Sequence, residues 1–195
     1  MREASPELPT WPTVPACYGW LSLDARGRWR LKGERVEHGG LSAFLNANYA
    51  SDEEGNWLVH NGPQRVFVAL ETAPLVLRLL PDDVLLTHDG RHAQPTPPVL
   101  IDENGCVSLQ TDLGPAAIDD RDLALLLAEL THEDGRSVDD AALLKLVQGQ
   151  SAVPLHWRGL PLRFARSTDV PCELRYRRHP APSSAEPLGN DLSTR

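Results

Sequence analysis

Lysine is almost missing from this chain, and the shortage is one of several that limit the functions it can have. It occurs only at Lys32 and Lys145 among 195 residues, so arginine carries nearly all of the positive charge. With 27 acidic against 19 basic residues, the formal net charge is −8 at pH 7. A nucleic-acid-binding domain usually carries a basic stripe on a basic surface. We therefore expect no nucleic-acid partner.

Cysteine and long apolar runs are scarce as well. The three cysteines, Cys17, Cys106 and Cys172, are far apart and form no C-x-x-C pair, which favours reduced thiols over a disulfide framework. No apolar run approaches the ~20 residues that a membrane-spanning helix needs. Residues 1–9 lack the apolar region of a secretory signal. The expected location is the cytoplasm, with no membrane partner.

Sequence motifs of nucleophilic, nucleotide-binding and zinc enzymes are missing. The chain contains no G-x-S-x-G, P-loop, G-x-G-x-x-G or H-E-x-x-H sequence. His88 and His92 flank a turn formed by Asp89 and Gly90, which would put them on opposite strands, so we interpret them as solvated turn residues. Cys17 and Cys172 have no identifiable base and are interpreted as ordinary buried thiols. We predict no catalytic residue, cofactor or metal.

Turn chemistry, by contrast, is abundant and repeats. Aspartate and glycine recur at the same offset in residues 24–27, 52–55 and 102–105. Trp29 and Trp57 follow the first two of these turns, each two positions after the glycine. Aspartate accepts backbone N–H groups and glycine adopts positive φ, so the pattern predicts β-hairpins. The irregular spacing excludes a solenoid repeat.

Helical spacing is confined to three short segments. Leu41, Phe44, Leu45 and Tyr49 predict one helix of two to three turns. Residues 119–130 and 137–149 each combine acidic residues at the start with an apolar stripe, which predicts two antiparallel helices joined by a short turn. Alternating and continuous apolar runs between residues 64 and 87 predict strands.

These elements together predict an α+β fold. We expect an antiparallel β-rich N-terminal lobe around one short helix, and a C-terminal lobe with a helical hairpin and short strands. The proline-rich stretch 93–98 is the predicted boundary. The predicted units are an extended arm at 1–16, the N-terminal lobe at 17–92, the C-terminal lobe at 99–179 and a disordered tail at 180–195.

Two patterns carry a family resemblance. One is the G-x-W-x-x-x-G-x-x-V run that begins at Gly27, and the other is the P-x-x-V-x-V run that begins at Pro63 and is followed by Ala73 and Pro74. On these residues, the region 18–80 resembles an uncharacterised bacterial family of two-lobed α+β proteins known only as a domain of unknown function. The resemblance implies the fold. It carries over no catalytic residue or activity.

Charge is unevenly distributed along the second half. The predicted helical pair is acidic, whereas the last β region is rich in arginine. The functional interpretation is a bipolar surface for a protein partner or an acidic ligand. The alternative is that these charges are solvated or paired within the lobe. The arginines are Arg158, Arg163, Arg166, Arg175, Arg177 and Arg178.

Two hypotheses for the function follow. The first is a non-enzymatic cytoplasmic binding or adaptor module whose partner is another protein, a second copy of the chain or a small acidic ligand. Its interface candidates are Trp29, Trp57, Arg158, Arg163, Arg175 and Arg177, since tryptophan and arginine often anchor interfaces. For the two tryptophans the alternative is a place in the core. The second hypothesis is a small-molecule-binding or hydrolytic enzyme with a pocket between the lobes.

Overall fold

Strands between residues 16 and 70 form a six-stranded mixed β-sheet. The computed structural model describes residues 14–151 and 153–182, so residues 1–13 of the predicted arm and 183–195 of the predicted tail lie outside it. The strands are β1 (Ala16–Leu23), β2 (Trp29–Leu31), β3 (Glu34–Arg35), β4 (Tyr49–Ser51), β5 (Trp57–Asn61) and β6 (Gln64–Leu70). Their order is β3-β2-β1-β6-β5-β4, and only the central pair, β1 and β6, is parallel.

Helix α1 (Gly39–Ala47) connects the two edge strands of this sheet, β3 and β4. It is the helix that the apolar spacing predicts, and it buries Leu41 and Leu45 against the sheet. His38 caps its start, because the imidazole accepts a hydrogen bond from the backbone N–H of Leu41. The helix therefore carries the chain from one edge of the sheet to the other.

Strands between residues 75 and 164 form a nine-stranded mixed sheet. Its strands are β7 (Leu75–Leu79), β8 (Leu85–Thr87), β9 (His92–Ala93), β10 (Pro95–Ile101), β11 (Val107–Thr111), β12 (Gly114–Ile118), β13 (Leu130–Thr131), β14 (Leu155–Trp157) and β15 (Leu160–Phe164). Their order is β13-β14-β15-β10-β11-β12-β7-β8-β9. The predicted boundary at 93–98 overlaps β9 and β10, which both belong to this sheet.

The predicted α+β fold class is wrong, because the protein is mostly β. Helix accounts for only 18% of the described residues, and one of the two large sheets curves into a half-barrel. A 3-10 turn (Asp120–Asp122) and α2 (Leu123–Ala128) replace the first helix of the predicted hairpin, and α3 (Asp140–Val147) replaces the second. Between them lies β13, which pairs with β14. That long-range pairing ends the helix and puts a strand where the hairpin turn was expected.

The three predicted turns are confirmed at atomic detail. In each, the glycine N–H donates to the aspartate carbonyl, and one carboxylate oxygen accepts two further backbone N–H groups. These acceptors are Asp24 for Arg26 and Arg28, Asp52 for Glu54 and Asn56, and Asp102 for Asn104 and Cys106. The aspartate therefore satisfies backbone donors that a tight turn leaves without partners.

A short C-terminal segment closes the structure onto the first sheet. Helix α4 (Val170–Glu173) leads into residues 174–178, which we call the C-terminal strap. The N–H of Arg177 donates to the carbonyl of Gly55 at 2.8 Å, and the N–H of Leu70 donates to the carbonyl of Arg178 at 2.8 Å. The strap thus holds the turn at 52–55 through backbone contacts.

The close approach at Gly55 gives a first prediction. A Cβ added there would lie 2.7 Å from the carbonyl oxygen of Arg175, and the φ of Gly55 is +81°. Alanine at Gly105, the same position of the third turn, meets nothing within 4 Å at φ +78°. We expect Gly105→Ala to lower the free energy of unfolding by about 1–2 kcal/mol through φ alone. Gly55→Ala should lose roughly 1–3 kcal/mol more because it also displaces the strap.

Urea denaturation of both variants and the wild type measures this difference. The comparison is controlled internally, since the two substitutions are chemically identical and occupy equivalent turns. If both substitutions lowered the free energy of unfolding equally, the strap would move away from the added methyl group without any loss of stability.

Candidate functional site

A cleft of about 510 Å³ opens where the two sheets and the strap meet. We call it the junction cleft. Four parts of the chain line it: the end of β4 through the start of β5, strand β10, the β11–β12 region, and the end of α4 with the start of the strap. The lining residues are Ser51, Asp52, Glu53, Gly55, Trp57, Pro98, Gln110, Leu113, Gly114, Pro115, Glu173, Leu174 and Arg175.

Trp57 forms the aromatic wall of the junction cleft. Its ring lies 4.8 Å from that of Tyr49 on the neighbouring strand, with an interplanar angle of 47°. On the other side the indole contacts Gly114 so closely that a Cβ there would lie 3.0 Å from its Cζ2 atom. The glycine is needed here, since its φ of +127° also disfavours any side chain. Trp57 therefore joins the first sheet to β12 of the second.

Two of the carboxylates in the junction cleft are already engaged. Asp52 accepts three hydrogen bonds, from the N–H groups of Glu54 and Asn56 and from the Asn56 side-chain amide. Glu173 forms an ion pair with Arg163. Glu53 and Arg175 differ, because within residues 14–151 and 153–182 neither side chain has a hydrogen-bond or ion-pair partner. Among the described residues, the cleft thus presents one unpartnered cation and one unpartnered carboxylate.

Arg175 also has an unusual backbone conformation. The N–H of Arg175 donates to the carbonyl of Cys172, and the N–H of Tyr176 donates to the carbonyl of Pro171. This pair of bonds closes the C-terminus of α4 and puts Arg175 at φ +59°, a position where glycine is usual. A non-glycine residue there costs about 1–2 kcal/mol of conformational strain.

The four predicted interface arginines differ in their side-chain partners. Arg158 pairs with Glu129 and with Asp83, and Arg163 pairs with Glu173. Arg177 donates to the carbonyl oxygen of Glu54 at 3.1 Å. Of the four, Arg175 alone lies in the junction cleft without a partner among the described residues.

The predicted acidic region is largely paired as well. Its carboxylates contact nearby arginines in the pairs Asp119–Arg121, Asp120–Arg26, Asp122–Arg78 and Asp134–Arg136. Burial acts to raise the pKa of Asp119, but hydrogen bonds from Arg121 outweigh it and hold the pKa at about 2. The hydrogen bond from Arg158 lowers the pKa of Glu129. Most of these charges are therefore paired within the structure, but Arg26 and Arg78 come from the other predicted lobe, so the pairing is not confined to one lobe.

Trp29 and Trp57 are both buried, with 3% and 4% of their surfaces exposed. The indole N–H of Trp29 donates to the side-chain oxygen of Asn46 on α1 at 2.6 Å, and its ring lies 5.0 Å from Tyr49. Trp29 is therefore a core residue that anchors the helix. Trp57 is a core residue too, but one edge of it lines the cleft. Of the predicted candidates, the structure brings together Trp57 and Arg175.

His88 is a residue whose role the sequence analysis missed. It is not a solvated turn residue: its ring lies 6.2 Å from Trp29 and 6.1 Å from Tyr49, between the two sheets. Nδ1 accepts a hydrogen bond from the N–H of Val76, whereas Nε2 is buried without a partner in the described structure. Burial is the main cause that lowers the pKa of His88 to about 4. A glycine opposite it, Gly27, makes room for the ring.

Cys17 is buried, as the sequence analysis expects, whereas Cys172 is exposed, so its interpretation as a buried thiol is wrong. Burial raises the pKa of Cys17 and of Cys106, which disfavours the thiolate form. In the part of the chain that the structure describes, no group of three or more histidine, cysteine, aspartate or glutamate side chains could hold a metal ion. None of the described helices is long and apolar enough to cross a membrane.

Comparison with known proteins identifies the family of this chain. The chain belongs to the family described as "Protein of unknown function (DUF2946)", whose model matches residues 4–181. The predicted likeness to a domain of unknown function is confirmed, and the family description names no activity. No curated protein matches the chain.

Two solved structures are similar in outline. One is a DUF1285 family protein from Silicibacter pomeroyi DSS-3, with a TM-score of 0.48, 12% identity, and coverage of 80% of this chain and 84% of that chain. The other is a DUF1285 family protein from Shewanella baltica OS155, with a TM-score of 0.38, 15% identity, and coverage of 53% and 87%.

Proposed function

We propose that this protein is a non-enzymatic binding module that holds its ligand in the junction cleft. The observation that carries the proposal is an arginine, Arg175, that faces a concave site without a partner among the described residues. Beside it the cleft is walled by Trp57, Leu113 and Pro115. Binding sites typically combine such an apolar wall with a few polar groups that orient the ligand.

The chemistry of Arg175 supports an acidic ligand. A guanidinium binds a carboxylate through two parallel hydrogen bonds, which gives both affinity and orientation. The ligand is a small acidic molecule or an acidic group on a protein partner, and a second copy of the chain is one such partner. The other predicted arginines are less available, since Arg158 and Arg163 are engaged in ion pairs.

A hydrolytic enzyme, the alternative from the sequence, would need a nucleophile beside a base. Ser51 supplies a hydroxyl to the cleft but contacts no histidine or carboxylate within the described residues. The strongly shifted pKa of His88 belongs to a ring packed against Trp29 and Tyr49, outside the cleft lining. Binding is therefore the function that the geometry supports best.

Affinity purification from the native host, read out by native mass spectrometry, tests the proposal. We expect wild type to retain a partner or small ligand that Arg175→Glu retains at least tenfold less. Arg35→Glu is the matched control, since Arg35 is an exposed arginine on β3 with no side-chain partner in the described structure. Equal retention by all three proteins, or no retained species, would contradict binding at the cleft.

A further inference from the structure

Two charged residues of the junction cleft, one acidic and one basic, have no partner in the described structure. Asp52 is saturated by hydrogen bonds and Glu173 by Arg163. This leaves Glu53 and Arg175 as the charged lining residues without a partner in the described structure. Both are exposed at the surface of the cleft. A ligand with a single negative charge would satisfy only one of them.

Backbone contacts join the two segments that carry these residues. Glu53 lies in the turn at 52–55, and Gly55 of that turn is in contact with the carbonyl of Arg175. The N–H of Arg177 donates to the carbonyl of Gly55 at 2.8 Å, which fixes the turn against the strap. Glu53 and Arg175 therefore lie on two segments that are hydrogen-bonded to each other, and not on independent loops.

The backbone of Arg175 indicates that its side chain serves binding more than folding. Glycine would occupy the left-handed position after α4 without strain. The arginine side chain forms no hydrogen bond or ion pair with described residues that would compensate for the strain. Positions that break a local rule without a structural gain are often functional.

We propose that the junction cleft binds a zwitterion. Its carboxylate pairs with Arg175, its ammonium group pairs with Glu53, and its apolar body packs against Trp57 and Leu113. This inference rests on the proposed function, which it narrows from an acidic ligand to one with both charges. Two sources share this chemistry: a free α-amino acid, and a peptide that carries both charges close together.

Isothermal titration with matched probes tests the inference on the full chain. The probes are L-phenylalanine and L-leucine, their N-acetyl derivatives, which lack the cation, and their amides, which lack the carboxylate. We expect at least one free amino acid to bind at least tenfold more tightly than either of its derivatives. An acetylated and amidated peptide in which lysine and glutamate flank two leucines reports the peptide source, and its tighter binding would support that source.

Variants connect the binding to the two residues. Arg175→Gly and Glu53→Gln should each weaken binding of the preferred probe at least tenfold, whereas Arg35→Glu should not change it. Arg175→Gly should also keep or raise the melting temperature, since it relieves the left-handed strain, so lost binding cannot be lost folding.

The outcomes separate the two proposals. If the N-acetyl derivative binds as well as the free amino acid, the zwitterion is overturned and an acidic ligand stands. If no probe binds while wild type still retains a partner that Arg175→Glu loses, the zwitterion alone is overturned. Binding that Arg175→Gly and Glu53→Gln both leave unchanged would also overturn it.

Discussion

Trp57→Ala is expected to lower the free energy of unfolding by about 3–5 kcal/mol, the usual cost of truncating a buried tryptophan. The indole is 4% exposed and lies between the ring of Tyr49 and the backbone at Gly114. Both neighbours belong to β-sheets, whose hydrogen bonds prevent them from closing the space that the indole leaves. Urea denaturation monitored by far-UV circular dichroism measures the loss.

Two further variants make this result specific. Leu144→Ala removes a leucine that is 55% exposed on α3 and should change the free energy of unfolding by no more than about 0.5 kcal/mol. Trp57→Phe keeps an aromatic ring against Tyr49 and should fall between the wild type and alanine. If Trp57→Ala were as stable as Leu144→Ala, the indole would not join the two sheets.

Acid is expected to destabilise the protein through His88, by about 3 kcal/mol between pH 6.5 and pH 4. Its Nδ1 accepts the N–H of Val76, so the neutral ring carries its proton on Nε2. A second proton would have to go to Nδ1, where it would break that hydrogen bond. It would also put a charge beside the rings of Trp29 and Tyr49.

The direction follows from the two states of the histidine. The ordinary pKa of 6.5 applies to the unfolded chain, and burial lowers the folded pKa to about 4. Asp89 and Asp24 act to raise it and Arg91 acts to lower it, but burial dominates. Between these values the unfolded chain binds more protons, so stability is complete above pH 6.5 and falls as the pH approaches 4. Below pH 4 the loss from this residue is complete.

Chemical denaturation at pH 7, 6, 5 and 4.5 isolates the histidine. Carboxylates with lowered pKa values lose their contribution only below their ordinary values, which are 3.8 for an aspartate such as Asp119 and 4.5 for a glutamate such as Glu129. His88→Asn offers an oxygen in place of Nδ1, so it should be less stable at pH 7 yet lose most of the pH slope. His60→Asn, on an exposed position of β5, should keep it. If His88→Asn kept the wild-type dependence of unfolding free energy on pH, His88 would not be the cause of that dependence.

Local structure was the part most accessible from the sequence. The aspartate–glycine turns at 24–27, 52–55 and 102–105 are predictable because each is closed by atoms within five residues of one another. The helix near Leu41 and Leu45 is predictable because its apolar spacing matches one face. The family resemblance, carried by turn glycines and strand valines, belongs to the same local level.

The candidate site was predictable only in part. Arginine and tryptophan are common anchors, so Arg175 and Trp57 could be named among six candidates. Arg175 is distinct because it has no partner among the described residues. This depends on which of Glu54, Glu129 and Glu173 reach the other arginines. Glu53 was not a candidate, because an exposed glutamate in a turn carries no signal of its own.

The predicted fold class was wrong because contacts between distant segments decide which residues form helix and which form strand. The leucines of residues 123–130 fit a helix, and six of these positions do form one, but Leu130 and Thr131 pair with residues 157 and 156. Likewise His88 follows a strand in a turn, and only the approach of Gly27 and Trp29 from the other sheet buries it.

The chain by itself determined which segments turn, which alternate and where one helix lies, because those preferences arise between residues that are close along the backbone. Tertiary structure alone decided the order of the strands, the burial of His88 and the charge pair of the junction cleft. Each of these depends on contacts between segments tens of residues apart, whose free energies exist only once the two sheets and the strap have come together.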